Sequence, residues 1–202
     1  MTVFAAPINV KNAALTGIGA KPMVSEAETS AQARVLNSHY ELIVQEALTK
    51  HAYAWAKKSA LLVKRSQTPE GRYVYALPAD ILNLRYITYG SPDGRVVDVE
   101  ETDEGLPILD WDSTFYGHYT WRVPEARWPA DFADGIVKKL QAALKRGLLS
   151  DDNAAEALDE LAEKKLRRGM VRDKRQIRGR PVNPNPRMVQ VFKGYRRHGS
   201  ST

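Results

Sequence analysis

Cysteine is absent from the 202 residues of this chain, and so are long apolar runs. Without cysteine there are no disulfides, no thiolate metal ligands and no thiol nucleophile. No stretch approaches the roughly 20 consecutive apolar residues of a membrane-spanning helix. The first residues also lack the basic stretch and apolar run of a secretory signal. We therefore expect a soluble protein made in the cytoplasm, with no membrane partner.

Signatures of catalysis are missing as well. The chain has four histidines, none spaced four residues from another, and it contains neither a His-Glu-x-x-His nor a Gly-x-Ser-x-Gly motif. Five acids crowd one stretch and form a weak candidate for a divalent cation, although a charge run more often lies in a solvated loop. We predict no enzyme and no cofactor or metal; a metal-dependent enzyme built on that stretch is the least favoured alternative. The acids are Asp98, Glu100, Glu101, Asp103 and Glu104.

Charge is distributed very unevenly along the chain. Residues 164–202 hold 13 of the 30 lysines and arginines but a single acid, Asp173, so this end carries +12. The preceding residues carry −6, which gives the net charge of +6. An acidic body joined to a basic end indicates an arm that binds an anionic surface, which could be nucleic acid, a membrane or an acidic protein.

Helical periodicity flanks a different pattern in the middle of the chain. Apolar residues recur every three to four positions over residues 7–17, 30–57, 128–147 and 151–176, which predicts four helices. Between them, short runs rich in Val, Ile, Thr and aromatic residues predict strands at 61–64, 73–77, 84–89, 95–100 and 115–122. Turn sequences at 68–71, 91–94 and 105–107 separate those runs, and Ser-Pro-Asp-Gly at 91–94 is typical of a hairpin.

These patterns predict an α+β fold that is mainly α. It is a four-helix bundle with a small antiparallel β-rich insertion between the second and third helices and an extended C-terminal tail. The bundle is expected over 1–58 and 125–176, the insertion over 59–124, and an extended basic C-terminal docking arm over 177–202.

The predicted arm combines proline, positive charge and an apolar patch. Alternating prolines at 181–186 exclude a helix because proline has no amide hydrogen. Met188 to Phe192 then reads Met-Val-Gln-Val-Phe, a pattern suited to adding a strand to the sheet edge of a partner. The alternative interpretation is a mobile terminus whose apolar residues have no role in binding.

A series of short sequence elements is informative when their order and spacing are taken together. The elements are Asn12-Ala13-Ala14-Leu15, Ile18-Gly19, Pro22, Glu26, Ala33-Arg34, Leu36-Asn37, Tyr40, Leu48, Tyr53-Ala54-Trp55-Ala56, Lys58, Tyr75-Ala76-Leu77-Pro78-Ala79-Asp80, Pro129 and Phe132. In this order they resemble the phage head–tail adaptor family, and the resemblance covers roughly residues 7–170. This family includes the podovirus tail tubular protein A type and the head-completion adaptors of other tailed phages and of gene transfer agents.

The resemblance implies a structural virion protein rather than a catalyst. Members of the family look like helical bundles with a β-rich part that form a homo-oligomeric ring, a dodecamer, beneath the portal protein. The ring extends the DNA channel and carries the tail, so the implied partners are the portal, tail or stopper and nozzle proteins, and other copies of the chain. DNA passes through without sequence-specific binding. The implied location is the virion head–tail interface, after synthesis in the host cytoplasm.

Two sets of residues are the candidate sites on this interpretation. The portal-docking arm comprises Arg172, Lys174, Arg175, Arg178, Arg180, Arg187, Met188, Val189, Val191, Phe192 and Tyr195. The candidates for contact with other subunits or with the tail are Tyr73, Tyr75, Tyr86, Tyr89, Trp111, Tyr116, Tyr119 and Trp121. The alternative from another functional class is a cytosolic nucleic-acid-binding protein whose basic C-terminal tail neutralises phosphates.

Overall fold

Four α-helices are present in the computed structural model, which describes residues 4–178, with side chains described up to Arg175. Each of them overlaps one of the four predicted ranges, although the second ends early. Ser30 caps the second helix by accepting a hydrogen bond from the Ala33 amide at 3.3 Å. The helices are α1 (Pro7–Gly17), α2 (Ala31–Lys50), α3 (Ala130–Leu149) and α4 (Asp152–Arg178).

Eight strands form two antiparallel sheets of four strands each. Sheet A has the order β1-β8-β4-β5 and sheet B the order β2-β3-β7-β6. The predicted turns at 68–71 and 91–94 each close a hairpin, β2–β3 and β4–β5, and both are confirmed. The strands are β1 (Lys57–Leu61), β2 (Val63–Gln67), β3 (Tyr73–Ala76), β4 (Ile81–Tyr89), β5 (Arg95–Val97), β6 (Glu100–Glu101), β7 (Pro107–Leu109) and β8 (Phe115–Trp121).

The predicted fold class, a four-helix bundle with a small β-rich insertion, is wrong. Strands make up about a fifth of the described residues, and they build two sheets with an apolar core of their own. Two runs that look like single strands are each divided between the sheets. The run at 61–64 divides at Leu62, and the run at 95–100 divides into β5 and β6. One apolar run cannot reveal that its two ends pair with different partners.

The second helix ends earlier than its apolar pattern predicts. It stops at Lys50, and the predicted stripe residues Trp55 and Ala56 lie in a nonhelical segment before β1. Tyr53 and Ala56 are nevertheless buried in the helical core. Because they are apolar for that reason, the apolar pattern of the sequence continues past the end of the helix. At the other end of the chain, residues 177–178 continue α4 instead of starting an extended arm. The rest of the predicted arm, 179–202, lies outside the described residues.

The helices share one core, and an aromatic cluster lies at its junction with the sheets. The Phe132 ring centroid is 5.0 Å from those of Trp55 and Trp128 and 5.4 Å from that of Tyr53. Phe132 is 1% exposed. Close packing of α3 against α4 depends on Gly135, where a Cβ would lie 2.7 Å from the Leu166 side chain.

A buried ionic network joins α2 to the segment that follows β8. The Tyr40 hydroxyl donates to Glu125 at 2.9 Å, and Arg122 bonds both Glu125, at 2.6 Å, and Glu41, at 2.9 Å. Burial, the largest single influence, would raise the pKa of Glu125, but the hydrogen bonds that the carboxylate accepts and the charge of Arg122 together outweigh it, and the pKa lies below its ordinary value. Sheet A is thereby fixed to the helices, while sheet B packs on sheet A through Leu62, Tyr75, Ile87, Leu109 and Phe115.

Replacing Phe132 by Ala should destabilise the chain by about 3–5 kcal/mol, because it leaves a cavity among three packed rings. Urea unfolding followed by circular dichroism measures the difference. The matched control is Leu42→Ala on α2, since Leu42 is 67% exposed and should change the free energy of unfolding little. Equal effects of the two substitutions would contradict this view of the core.

Candidate docking surfaces

The first half of α4 is held to the bundle by ion pairs. Glu163 bonds Lys50 and Lys139, each at 2.9 Å, and Asp159 bonds Arg146 at 3.0 Å. These acids lie on the face turned toward α2 and α3. The acidic residues of α4 are therefore largely engaged within the chain.

The far half of α4 is fixed at two points near its end. Arg172 pairs with Asp131 at 2.8 Å, and the Asp173 carboxylate accepts a hydrogen bond from the Ala54 amide at 2.5 Å. The Tyr53 hydroxyl donates to the Leu166 carbonyl at 3.1 Å. The helix thus stays on the body up to the last residues whose side chains are described.

A basic concavity of about 990 Å³ opens on α4 beside the end of α2. Lys165 at its wall pairs with Asp134, but Lys164, Arg167 and Arg168 form no ion pair with any described residue. The rest of the wall comprises His51, Val171 and Glu163, whose carboxylate is paired with Lys50 and Lys139, and burial lowers the pKa of His51. The concavity is therefore an anion-attracting surface.

Sequence reasoning missed this concavity because it treated the positive charge as a property of the tail. The signal was nevertheless present: Lys164, Arg167 and Arg168 are three and four residues apart, the spacing that places side chains on one helix face. His51 carries no comparable signal, since only the early end of α2 brings it beside α4.

The predicted docking arm is only partly covered by the described residues. Arg172, Lys174 and Arg175 are exposed on α4, and Arg178 ends that helix. Arg172 is paired with Asp131, as described above. The remaining arm residues lie outside the described part of the chain: Arg180, Arg187, Met188, Val189, Val191, Phe192 and Tyr195.

Two of the aromatic interface candidates are interior residues. Tyr75 is 1% exposed and Tyr119 is 3% exposed, and their hydroxyls bond Asp112 and Asp80 respectively. They pack inside the chain and so offer no surface to a partner. Tyr89 and Trp111 do reach the surface as an edge-to-face pair with ring centroids 6.3 Å apart. The partly exposed candidates are Tyr73, Tyr86, Tyr116 and Trp121.

The acidic stretch lies at the outer edge of sheet B and in the segments beside it. All five acids are exposed, and two of them pair with arginines of the same sheet, Glu100 with Arg72 and Glu104 with Arg65. Within residues 4–178, no three His, Asp or Glu side chains come together as a metal site. This stretch is therefore an exposed acidic surface on which two of the five acids are paired with arginines.

His118 is the most enclosed titratable side chain of sheet A. Its Nδ1 lies 2.7 Å from the Ser59 hydroxyl and its Nε2 lies 3.0 Å from the Thr88 hydroxyl, while the Tyr86 ring stacks on it at 4.4 Å. Burial, followed by the nearby Lys57 ammonium, lowers the pKa of His118. The imidazole is therefore held neutral and acts as a structural link between β1, β8 and β4.

A scan against models of known protein families and a search of curated protein sequences gave no match. Among the described helices, none has the length and apolar character needed to cross a membrane.

The His118→Gln variant should show a weaker dependence of stability on pH than the original chain. A lowered folded-state pKa contributes stability that is fully present above the unfolded pKa of about 6.5 and is lost as pH falls from there through the folded pKa. Urea midpoints at pH 5.5 and 7.5 would measure the difference. His51 should supply the dependence that remains, because burial lowers its pKa too. An identical change in the exposed control His39→Gln would refute the assignment.

Proposed function

We propose that this chain is a structural head–tail adaptor of a tailed phage or phage-like particle, forming a ring beneath the portal. It extends the DNA channel and provides the platform for the tail. Its partners are the portal protein, tail or stopper proteins and other copies of itself. Its location is the head–tail interface of the virion. The ordered sequence elements described above are the main support for this assignment.

The course of α4 is the structural observation that favours a docking arm. The helix runs unbroken for about 40 Å from Asp152 to Arg178, with Asp159, Glu163 and Asp173 bonded to the body and Lys174 and Arg175 exposed near its end. Arg172 and Asp173 bind the body just before the chain continues into 179–202. A fixed helix that leads into a cationic, proline-rich segment suits an arm that reaches an acidic groove on a neighbouring ring.

The charge of the remaining chain suits a channel for DNA. Residues 1–163 carry −6, and like charge keeps a wall from retaining phosphates as DNA moves past. Ring symmetry would repeat each arm contact around the portal, so that a weak individual contact becomes a tight one through avidity.

Removing residues 179–202 should leave the body folded and abolish portal binding, because the whole segment beyond α4 is lost. Circular dichroism checks the fold, and co-sedimentation with assembled portal rings checks the binding. A finer variant changes Val189, Val191 and Phe192 to Ser and keeps every charge; it should weaken binding at least tenfold. Deleting only residues 199–202 is the matched control. Full portal attachment by the truncated chain would overturn the arm.

The basic concavity supports a second candidate, a nucleic-acid-binding protein. Lys164, Arg167 and Arg168 are adjacent, exposed to an open cavity and unpaired within the described part of the chain. Phosphates could occupy that position without help from the tail. If this second function is correct, the C-terminal arm adds further cations to the basic concavity on α4.

Duplex DNA binding should show a steep salt dependence only if this second candidate holds. Each phosphate contact adds about 0.9 to the slope of log affinity against log salt. Changing Lys164, Arg167 and Arg168 to Ala should then lower the slope by roughly 2–3. The paired Lys165→Ala is the control. A head–tail adaptor instead predicts weak binding that these substitutions hardly alter.

A further inference from the structure

Sheet A has an open edge on each side. In the described structure β1 pairs only with β8, and β5 pairs only with β4. Unpaired strand edges present free amide and carbonyl groups and are templates for pairing with another chain. The sheet is antiparallel throughout and has four strands, so β1 and β5 run in opposite directions. A second copy displaced sideways in the plane of the sheet would therefore bring its β5 against β1 in antiparallel orientation.

The hydrogen-bond pattern identifies which residues point outward on β1. The Leu62 amide donates to the Phe115 carbonyl at 2.8 Å, in the β1–β8 register. Bonding alternates along an antiparallel strand, so Ala60 and Lys58 also face β8. Ser59 and Leu61 consequently direct their backbone groups to the open side.

The same reasoning applies to β5. The Gly90 amide donates to the Thr114 carbonyl at 2.8 Å, which turns Thr88 toward β8 and leaves Ile87 and Tyr89 facing β5. Their partners Val97 and Arg95 face back toward β4. The backbone groups of Val96, between them, point to the open side.

Side chains agree with the backbone. Leu61 lies opposite Tyr116, Tyr116 opposite Thr88, and Thr88 opposite Val96, so these four form one row across a single face of sheet A. The two ends of the row are exposed apolar side chains, Leu61 at 54% and Val96 at 57%. Joining β1 to the β5 of a second copy would continue the row and bring these two side chains together.

The cations of β1 do not shield this edge. Lysines on an edge strand normally discourage pairing, but here Lys57 bonds the Tyr86 hydroxyl and Lys58 pairs with Asp80 at 2.5 Å, both within the chain. In the antiparallel arrangement, the exposed acid Asp98, which directly follows β5, would approach the Lys57 end of β1. The approach therefore brings opposite charges together at this end of the edge.

We propose that copies of this chain associate head-to-tail through sheet A, with Leu61 of β1 directly opposite Val96 of β5 in the next copy. This register joins the outward-facing backbone groups and keeps both side chains on one face. A slip of one residue would place them on opposite faces. Each copy uses one edge of each kind, which is the requirement for a ring or a filament. Closure into a ring rests on the proposed function, whereas the edge pairing does not.

The absence of cysteine from the chain permits a direct test of the pairing. Opposed residues of a hydrogen-bonded antiparallel pair have Cα atoms about 5.5 Å apart, within the range of a disulfide. Mild oxidation of a full-length variant with Leu61→Cys and Val96→Cys should give a ladder of covalent oligomers. A mixture of the two single variants should give mainly heterodimers. Leu42→Cys with Val96→Cys is the control and should remain monomeric.

Two results would overturn the proposal. One is efficient homodimer formation by Leu61→Cys alone, which indicates pairing of β1 with β1. The other is a ladder no stronger than that of the Leu42 control.

A second, noncovalent measurement uses Leu61→Lys, which should weaken self-association at least tenfold in sedimentation velocity while Leu42→Lys does not. Unchanged association of the Leu61 variant would also overturn it.

Portal binding separates this inference from the proposed function. A chain that forms the cysteine ladder but does not bind portal rings would leave the edge pairing intact and refute the adaptor role. A chain that binds portal rings but forms no cross-link between positions 61 and 96 would support the adaptor role and refute the edge pairing. Electron microscopy of the cross-linked species distinguishes closed rings from filaments. Filaments would support the edge pairing and refute closure into a ring.

Discussion

Contacts of the segment Tyr53–Ala56 hold the helices and the sheets together. Tyr53 packs on Phe132 and donates to the Leu166 carbonyl, while its own carbonyl accepts from Arg85 of β4 at 2.8 Å. The Ala54 amide binds Asp173 near the end of α4. A single irregular segment thus bonds the last helix, the helical core and sheet A. β1 begins directly after this segment, and α4 is bound to it through Leu166 and Asp173. The position of the open β1 edge and that of the basic surface on α4 therefore both depend on the segment.

Local sequence signals were reliable wherever the structure is itself local. The helix starts at about residues 7 and 30 and the turn at 91–94 lie where the sequence predicts them, because Pro7, the Ser30 cap and the turn residues act through their neighbours. The failures concern partners that are distant in sequence. The run at 61–64 divides at Leu62 because Leu61 pairs with Tyr116 of sheet A and Val63 with Ala76 of sheet B, and no local pattern encodes that. Two sheets were consequently mistaken for a small insertion.

The candidate surfaces also differ in how far the sequence alone predicts them. The charge asymmetry, and hence an anion-seeking end, can be read from composition alone. The concavity near His51 requires the ends of α2 and α4 to meet, which composition cannot show. Aromatic residues were the least informative class. Tyr75 and Tyr119 are core residues, and Tyr89 is exposed, although all three occur in similar strand-like runs. Whether a strand residue faces the second sheet or solvent depends on the register, which is a property of the assembled sheets.

The single acid among the last 39 residues has a mechanical consequence. Asp173 holds the Ala54 amide, and Arg172 beside it holds Asp131, so tension applied along the C-terminal segment meets these two bonds first. A pull directed along the axis of α4 would load these two bonds and the contacts between α3 and α4 in shear, so that the contacts share the force instead of breaking one after another.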